Sequence, residues 1–569
     1  MTLRDGARLC TDIFRPDAEG EKFPALIAWA AYGKSVQSLK TPPLRPDCLL
    51  FDHTREAGDL EYFVPRGYVY VIPDPRGVGK SDGEFDGWFG PQEQEDVYDL
   101  IEWVAQQPWC DGQVGMIGLS YFGIMQMLAA AQQPPHLKAI MPISVLDSAY
   151  RLSYTGGILD TFSHAFLSLI PTNKEYRSYA EIENSAEELQ RKMKERWEND
   201  PDIRSVSYFL RELTTWPPRF NPMWLDTLMH PLDGEFWDAK SANTKWHKIQ
   251  VPAYMTGHWN VARQWDPFGA FMDPDLDVPK KVMIWGVYWL TVELPLNYYN
   301  EEYLRWYDYW FKGVDTGIMD EPPITIFVMG VNRFRYENEW PLARTRWTKL
   351  YMRSSGRLST EPEEKEDVPP DGLVHIPPMI SKEVPSVTYT TAPLSEPLEV
   401  TGPLALRLYA SIDAEDANFI GKLYDVGPGG ARQPVSAGYL KASHRTLIPE
   451  KSRPGIPVHD HTKEVPVKPG EITEYVIEFS AKSMVFQPGH KLELELTTMD
   501  YNVYHESLWS KVTSIGPLPN ARVIEYKFYR DAKYRSHLLL PVIPETDPDL
   551  WLRPLGITIA GERGTKHRE

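Results

Sequence analysis

The chain has 569 residues, 42% hydrophobic and 24% charged, with a formal net charge of −19. That length exceeds one ordinary core and predicts two or three domains, while the apolar content is that of a globular chain, not a disordered one. The acidic balance argues against nucleic acid or an anionic membrane surface as a partner, and three scattered cysteines (Cys10, Cys48 and Cys110) support neither a disulfide framework nor a zinc site.

The opening stretch, MTLRDGARLCTDIF, lacks a charged-then-apolar leader, and no run reaches transmembrane length; the expectation is a cytoplasmic protein. Over residues 1–145, short apolar runs alternate with helical periodicity. The runs at 24–33, 68–77, 114–120 and 139–144 read as buried parallel strands. Between the second and third, Val97, Leu100, Ile101 and Val104 fall on one face of a helix that Pro108 ends. Strands alternating with helices predict an α/β sheet with right-handed crossovers.

From 146 to 245 the pattern becomes helical and rich in aromatics and proline, with Ile182, Ala186, Leu189, Met193 and Trp197 at helical spacing. This segment is expected to form a helical cap over the sheet. Strand-like runs return at 251–259 and 280–286, followed by a helix that Gly313 is suited to cap. These belong to a second part of the α/β domain, 246–347. A charged, proline-bearing stretch at 359–372 reads as a long loop. From 348 to 569 short alternating strands dominate, such as 404–410, 474–479 and 491–498, which predicts an all-β sandwich.

The stretch GMIGLSYFGIMQM (115–127) carries the main chemical signal. A strand ending in Gly-x-Ser and turning sharply into a helix is a nucleophile elbow. Gly118 and Gly123 flank Ser120, with Phe122 where the second glycine usually stands. The helix N-terminus that follows favours a developing anion. Three weaker signals are set aside. RGVGKSD (76–82) lacks the first glycine of a phosphate-binding loop and reads as a turn. HDHTKE (459–464) reads as a surface strand, and EEKED (363–367) as a solvated loop. Neither metal nor cofactor is expected.

GLSYFG, the upstream AAYGK, DPRGVGKSDGEF and CDGQVGMIG resemble the cocaine-esterase/X-Pro dipeptidyl-peptidase family of serine hydrolases. The likeness continues in residues 304–330 and in HTKEVPVKPGE and FQPGHKLELEL, so it spans nearly the whole chain. It implies an α/β-hydrolase domain, a helical cap and a C-terminal jelly-roll β-sandwich. It also implies Ser120 as nucleophile, with the Tyr121 N–H and the Tyr32 hydroxyl as oxyanion donors.

The same resemblance puts the triad's acid and histidine at positions that here read Asn260 and Leu290, and no histidine lies between His258 and His375. Asn cannot hold the charge that stabilises an imidazolium, and Leu cannot accept a proton. Three readings stay open. His258 can be recruited as base, with Asp266 or Glu293 orienting it, or it is a buried histidine making one hydrogen bond. The pocket can run non-hydrolytic chemistry (a lyase, isomerase or cyclase step), with Ser120, Tyr32, His258 and Asn260 around the substrate. Or the chain binds a ligand without turnover. Acyl chemistry at Ser120 on a small aromatic or apolar molecule is the first expectation, with Phe122, Trp259, Asn260 and Leu290 lining the substrate site. A homodimer is compatible with the broad surface of the β domain.

Overall fold

The computed structural model describes residues 1–38, 56–143, 147–161, 170–174, 177–218, 222–259, 267–286, 295–381, 383–500, 516–544 and 550–552. Asn260, Asp266, Leu290 and Glu293 lie outside the described residues.

Consecutive side chains are buried along β2 (Phe23–Ile27) and β3 (Val69–Pro73), as happens when a strand is covered on both faces. With β1 (Thr11–Phe14), β4 (Cys110–Met116) and β5 (Leu137–Ile140) they form one half of a sheet. β6 (Tyr154–Thr155) and β7 (Ile158–Leu159) make a separate small hairpin. The other half is β8 (Ala253–His258), β9 (Lys280–Trp285), β10 (Ile324–Val328) and β11 (Arg333–Glu337). The nine strands run in the order β1-β3-β2-β4-β5-β8-β9-β10-β11. The outer pairs β1–β3 and β10–β11 are antiparallel and the rest parallel. The first four expected strands are shortened at their C-terminal ends, to Ile27, Pro73, Met116 and Ile140. There the chain leaves the ladder to make the loops that carry the candidate site.

α1 (Pro91–Ala105) starts with Pro91 in its first turn and buries Val97, Leu100, Ile101 and Val104, the predicted stripe. α2 (Tyr121–Ala131) is buried along its whole length, which suits its alanine- and methionine-rich sequence. Between β5 and β8 stand α3 (Ala186–Asn199), α4 (Ser207–Thr214) and α5 (Pro222–Met229). The expected helix face from Ile182 to Trp197 is broken: Asn184 is extended, Ser185 caps α3 by accepting from the Glu188 N–H, and Ile182 is exposed. Leu189 and Met193 remain buried. α6 (Pro295–Lys312) ends at Gly313, whose φ is +64°. No described helix is long and apolar enough to cross a membrane.

The C-terminal part differs from the expected jelly-roll sandwich. Its strands are β12 (Arg346–Arg353), β13 (Arg357–Ser359), β14 (Asp371–His375), β15 (Ser386–Thr390), β16 (Leu398–Ile412), β17 (Asn418–Val426), β18 (Arg432–Lys441), β19 (Thr473–Phe486), β20 (Lys491–Thr497), β21 (Ile524–Tyr529) and β22 (His537–Ile543). They form one eleven-stranded sheet, β14-β21-β16-β19-β18-β17-β20-β15-β13-β12-β22, closed by a further β16–β22 pairing. The result is a barrel. Closure is possible because β16, fifteen residues long with a register shift between Gly402 and Leu404, is shared. Residues 399–407 of β16 pair with β22 and residues 409–412 with β21. HDHTKE is a turn rather than a surface strand, and its His461 Nδ1 lies 3.0 Å from His444 Nδ1.

The two sheets are joined directly. The Met329 N–H donates to the Ser483 carbonyl (3.0 Å) and the Val485 N–H to the Met329 carbonyl (2.9 Å). Beside this bridge, Arg335 of β11 is fully buried. It donates to Glu337 at 2.8 Å and, through both Nη atoms, to Glu399 of β16 at 2.9 and 2.6 Å. Removing one member of a buried ion cluster strands the others. Arg335→Leu is therefore expected to lower stability by about 3–5 kcal/mol in denaturant titration.

Candidate active site

β4 ends at Met116, and the next four residues turn the chain from sheet to helix. Gly118 has φ +123°, and a Cβ there would meet the Phe122 Cβ at 2.5 Å and the Glu56 carbonyl at 2.8 Å, so glycine is required. Ser120 follows with φ 62° and ψ −117°, a strained conformation for a residue with a side chain. Its N–H donates to the Ile143 carbonyl at 3.1 Å, and its side chain makes no capping bond to α2. The glycine pattern is also explained. A Cβ at Gly123 would stand 2.2 Å from the Ile143 carbonyl, so Gly123 permits the close approach of α2 to the strand-end loop. Phe122 is a buried ring.

Tyr32 leaves the end of β2 toward Ser120, and its phenol lies close enough to the Ser120 hydroxyl to interact with it electrostatically. Burial, and next the charge of Glu56, push the Tyr32 phenol well above its ordinary range, with the nearby Ser120 hydroxyl opposing, so it stays neutral. Its ring packs edge-on against Tyr121 at 5.5 Å and against Phe122 at 6.3 Å. The loop beyond it is pinned by Asp74, whose carboxylate accepts the N–H groups of Lys34 (2.7 Å) and Lys80 (3.0 Å). The DPRGVGKSD segment is therefore a brace for the Tyr32 loop.

Beneath the elbow, buried Glu93 of α1 accepts from Trp29 Nε1 (2.9 Å), from the Tyr121 hydroxyl (2.9 and 2.8 Å) and from the Phe89 N–H (2.7 Å). It ties the exit of β2 to the first turn of α2, the two elements that carry the expected oxyanion donors. Burial pushes its carboxyl up to about 7 against those hydrogen bonds. Glu56 lies on the other side: its carbonyl accepts the Leu119 N–H at 2.9 Å. Burial pushes its carboxyl up to about 8. Neither glutamate was singled out in the sequence, because each is remote from Ser120 along the chain and carries no local motif.

His258 ends β8, opposite Trp285 of β9. β8 lies two strands from β4, about 10 Å away at ordinary strand spacing. Burial lowers its imidazole to about 4, which makes it a neutral and weak base. Trp259 is buried; its Nε1 donates to the Phe327 carbonyl at 2.6 Å, and its ring stacks with Phe268 and Trp340, each at 6.2 Å. Asn260 and Leu290 lie outside the described residues. Among the described residues, no group of three or more His, Cys, Asp or Glu stands where it could hold a metal ion.

A carboxyl whose folded pKa lies above its unfolded value binds protons more tightly in the native state. Stability is then full below the unfolded value and falls as pH rises through the folded one. For Glu93 that window runs from about 4.5 to about 7. The expected loss across it is about 3 kcal/mol. Tm should fall over this window, and Glu93→Gln should flatten the fall, as thermal melts at a series of pH values would show.

Residues 5–265 match the model for the X-Pro dipeptidyl-peptidase (S15 family), and residues 316–527 that for the X-Pro dipeptidyl-peptidase C-terminal non-catalytic domain. The chain is 26% identical to a cocaine esterase of Rhodococcus sp. (strain MB1 Bresler), over 95% of this chain and 97% of that protein. It is 22% identical to a putative Xaa-Pro dipeptidyl-peptidase of Bacillus cereus, over 78% of this chain and 72% of that one. In fold it is similar to a CocE/NonD family hydrolase from Staphylococcus aureus, with TM-score 0.74, 21% identity, and coverage of 95% of this chain and 92% of that one. An α-amino acid ester hydrolase superposes with TM-score 0.69 and 19% identity, over 95% of both chains. The matches extend over both the α/β part and the appended β domain, and the chain belongs to the cocaine-esterase/X-Pro dipeptidyl-peptidase family of α/β-hydrolases.

Proposed function

We propose that this protein performs acyl chemistry at Ser120, cleaving or transferring the acyl group of an ester or amide of a small apolar or aromatic molecule, with a non-standard triad. The observation that carries this reading is the strained backbone of Ser120, φ 62°, at the turn from strand to helix, with the Tyr32 phenol close to its hydroxyl. A cap serine needs no such strain, whereas a nucleophile gains exposure from it. The relatives named as an esterase and a dipeptidyl-peptidase support the same class of reaction. In this reading the Tyr121 N–H and the Tyr32 hydroxyl hold the oxyanion.

A second reading, non-hydrolytic chemistry in the same pocket, is favoured by one observation. The sequence resemblance implies that Asn260 and Leu290 stand where the family has its acid and histidine. Loss of a triad base alone costs on the order of a million-fold in turnover.

The two are separated by intact-mass spectrometry after exposure to a fluorophosphonate. Acyl chemistry predicts stoichiometric labelling that Ser120→Ala abolishes; a folded wild type that takes no label rejects it. Removing one oxyanion donor, in Tyr32→Phe, is expected to slow turnover of an activated ester by about 100- to 1,000-fold while leaving the fold intact.

A further inference from the structure

We propose that the Glu56 carboxylate is the base that takes the Ser120 proton, an inference that rests on acyl chemistry at that serine. The backbone fixes residue 56 beside the nucleophile: its carbonyl accepts the Leu119 N–H at 2.9 Å, one residue before Ser120. Its carboxyl acts electrostatically on the Tyr32 phenol, which lies beside Ser120. Its Oε2 is shut off from solvent and has no hydrogen-bond partner among the described residues. A buried carboxyl oxygen without a partner costs stability, and a site that receives and returns a proton accounts for its retention.

The surroundings suit that task. Around residues 56–58 and the elbow stand hydroxyls: Tyr32 beyond β2, Tyr70 of β3, bonded to the Ala57 carbonyl, and Tyr303 of α6, which accepts the Gly118 N–H. The Gln37 amide accepts the Ala57 N–H at 3.1 Å. Tyr32 and Tyr303 are both pushed above the ordinary phenol range by burial, so both stay neutral. Burial alone lifts the Glu56 carboxyl to about 8, which makes its carboxylate a stronger base than an ordinary imidazole.

The step balances. As Ser120 Oγ bonds to the acyl carbon, its proton passes to the Glu56 carboxylate, and the carbonyl electron pair moves onto oxygen, where the Tyr32 hydroxyl holds it. When the adduct collapses, the bond to the leaving oxygen or nitrogen breaks and Glu56 returns the proton to it. Water then repeats the cycle on the acyl-enzyme.

The test is the rate of labelling by an alkyl fluorophosphonate, read by intact mass from about pH 5 to about pH 10, for wild type, Glu56→Gln and Glu56→Asp. The wild-type rate should rise with pH through a midpoint near 8, as the carboxylate forms. Glu56→Gln should label at least about 100-fold more slowly and lose the midpoint, while Glu56→Asp keeps it at reduced rate. Circular dichroism reports whether each variant is folded. Labelling of Glu56→Gln at the wild-type rate and profile overturns the role of Glu56 and leaves acyl chemistry standing. A folded wild type that takes no label overturns both. If Glu56→Gln does not fold, a wild-type midpoint near an ordinary histidine value of about 6.5 overturns the assignment to Glu56.

Discussion

The contact between α2 and the Ile143 carbonyl sets the position of everything around Ser120. The carbonyl accepts the Ser120 N–H, and a Cβ at Gly123 would stand 2.2 Å from it. This one oxygen therefore fixes both the bend of the elbow and the seating of the helix behind it. The strain at Ser120 persists because Ile143 bridges Leu119 on one side and Thr256 on the other, holding the carbonyl in line with the sheet. The first turn of α2 and its free amides point where the elbow requires them.

Around that fixed point the protein buries carboxyls rather than pairing them. Glu93 is held by donors from Trp29, Tyr121 and Phe89. Burial raises Glu93 to about 7 and Glu56 to about 8 while it lowers His258 to about 4. Desolvation moves acids and bases in opposite directions, so in this setting a carboxylate is the stronger base and the imidazole the weaker one.

The barrel contributes through its seam with the α/β domain. Arg335, buried between Glu337 and Glu399, and the backbone bridge at Met329 lock the edge of the nine-stranded sheet to β16 and β19. Trp259, just past the end of β8, donates to the Phe327 carbonyl of β10 and stacks on Trp340 in the same region. The end of β8 is thereby anchored to elements leading into the barrel.

The sequence by itself determined what local pattern can encode: the alternation of strand and helix, the elbow at Ser120 between Gly118 and Gly123, and the aromatic donor Tyr32 at a strand end. These follow from period, turn chemistry and glycine sterics within a few residues. It did not determine the break at Asn184, where a serine cap outcompetes the helical face that would have carried Ile182. Nor did it distinguish barrel from sandwich, because alternation along a strand is the same in both and only the shared pairing of β16 closes the sheet. Only the tertiary structure brought Glu56 and Glu93 to the elbow. Their role comes from desolvation and from contacts across the fold, and neither leaves a mark in the neighbouring sequence.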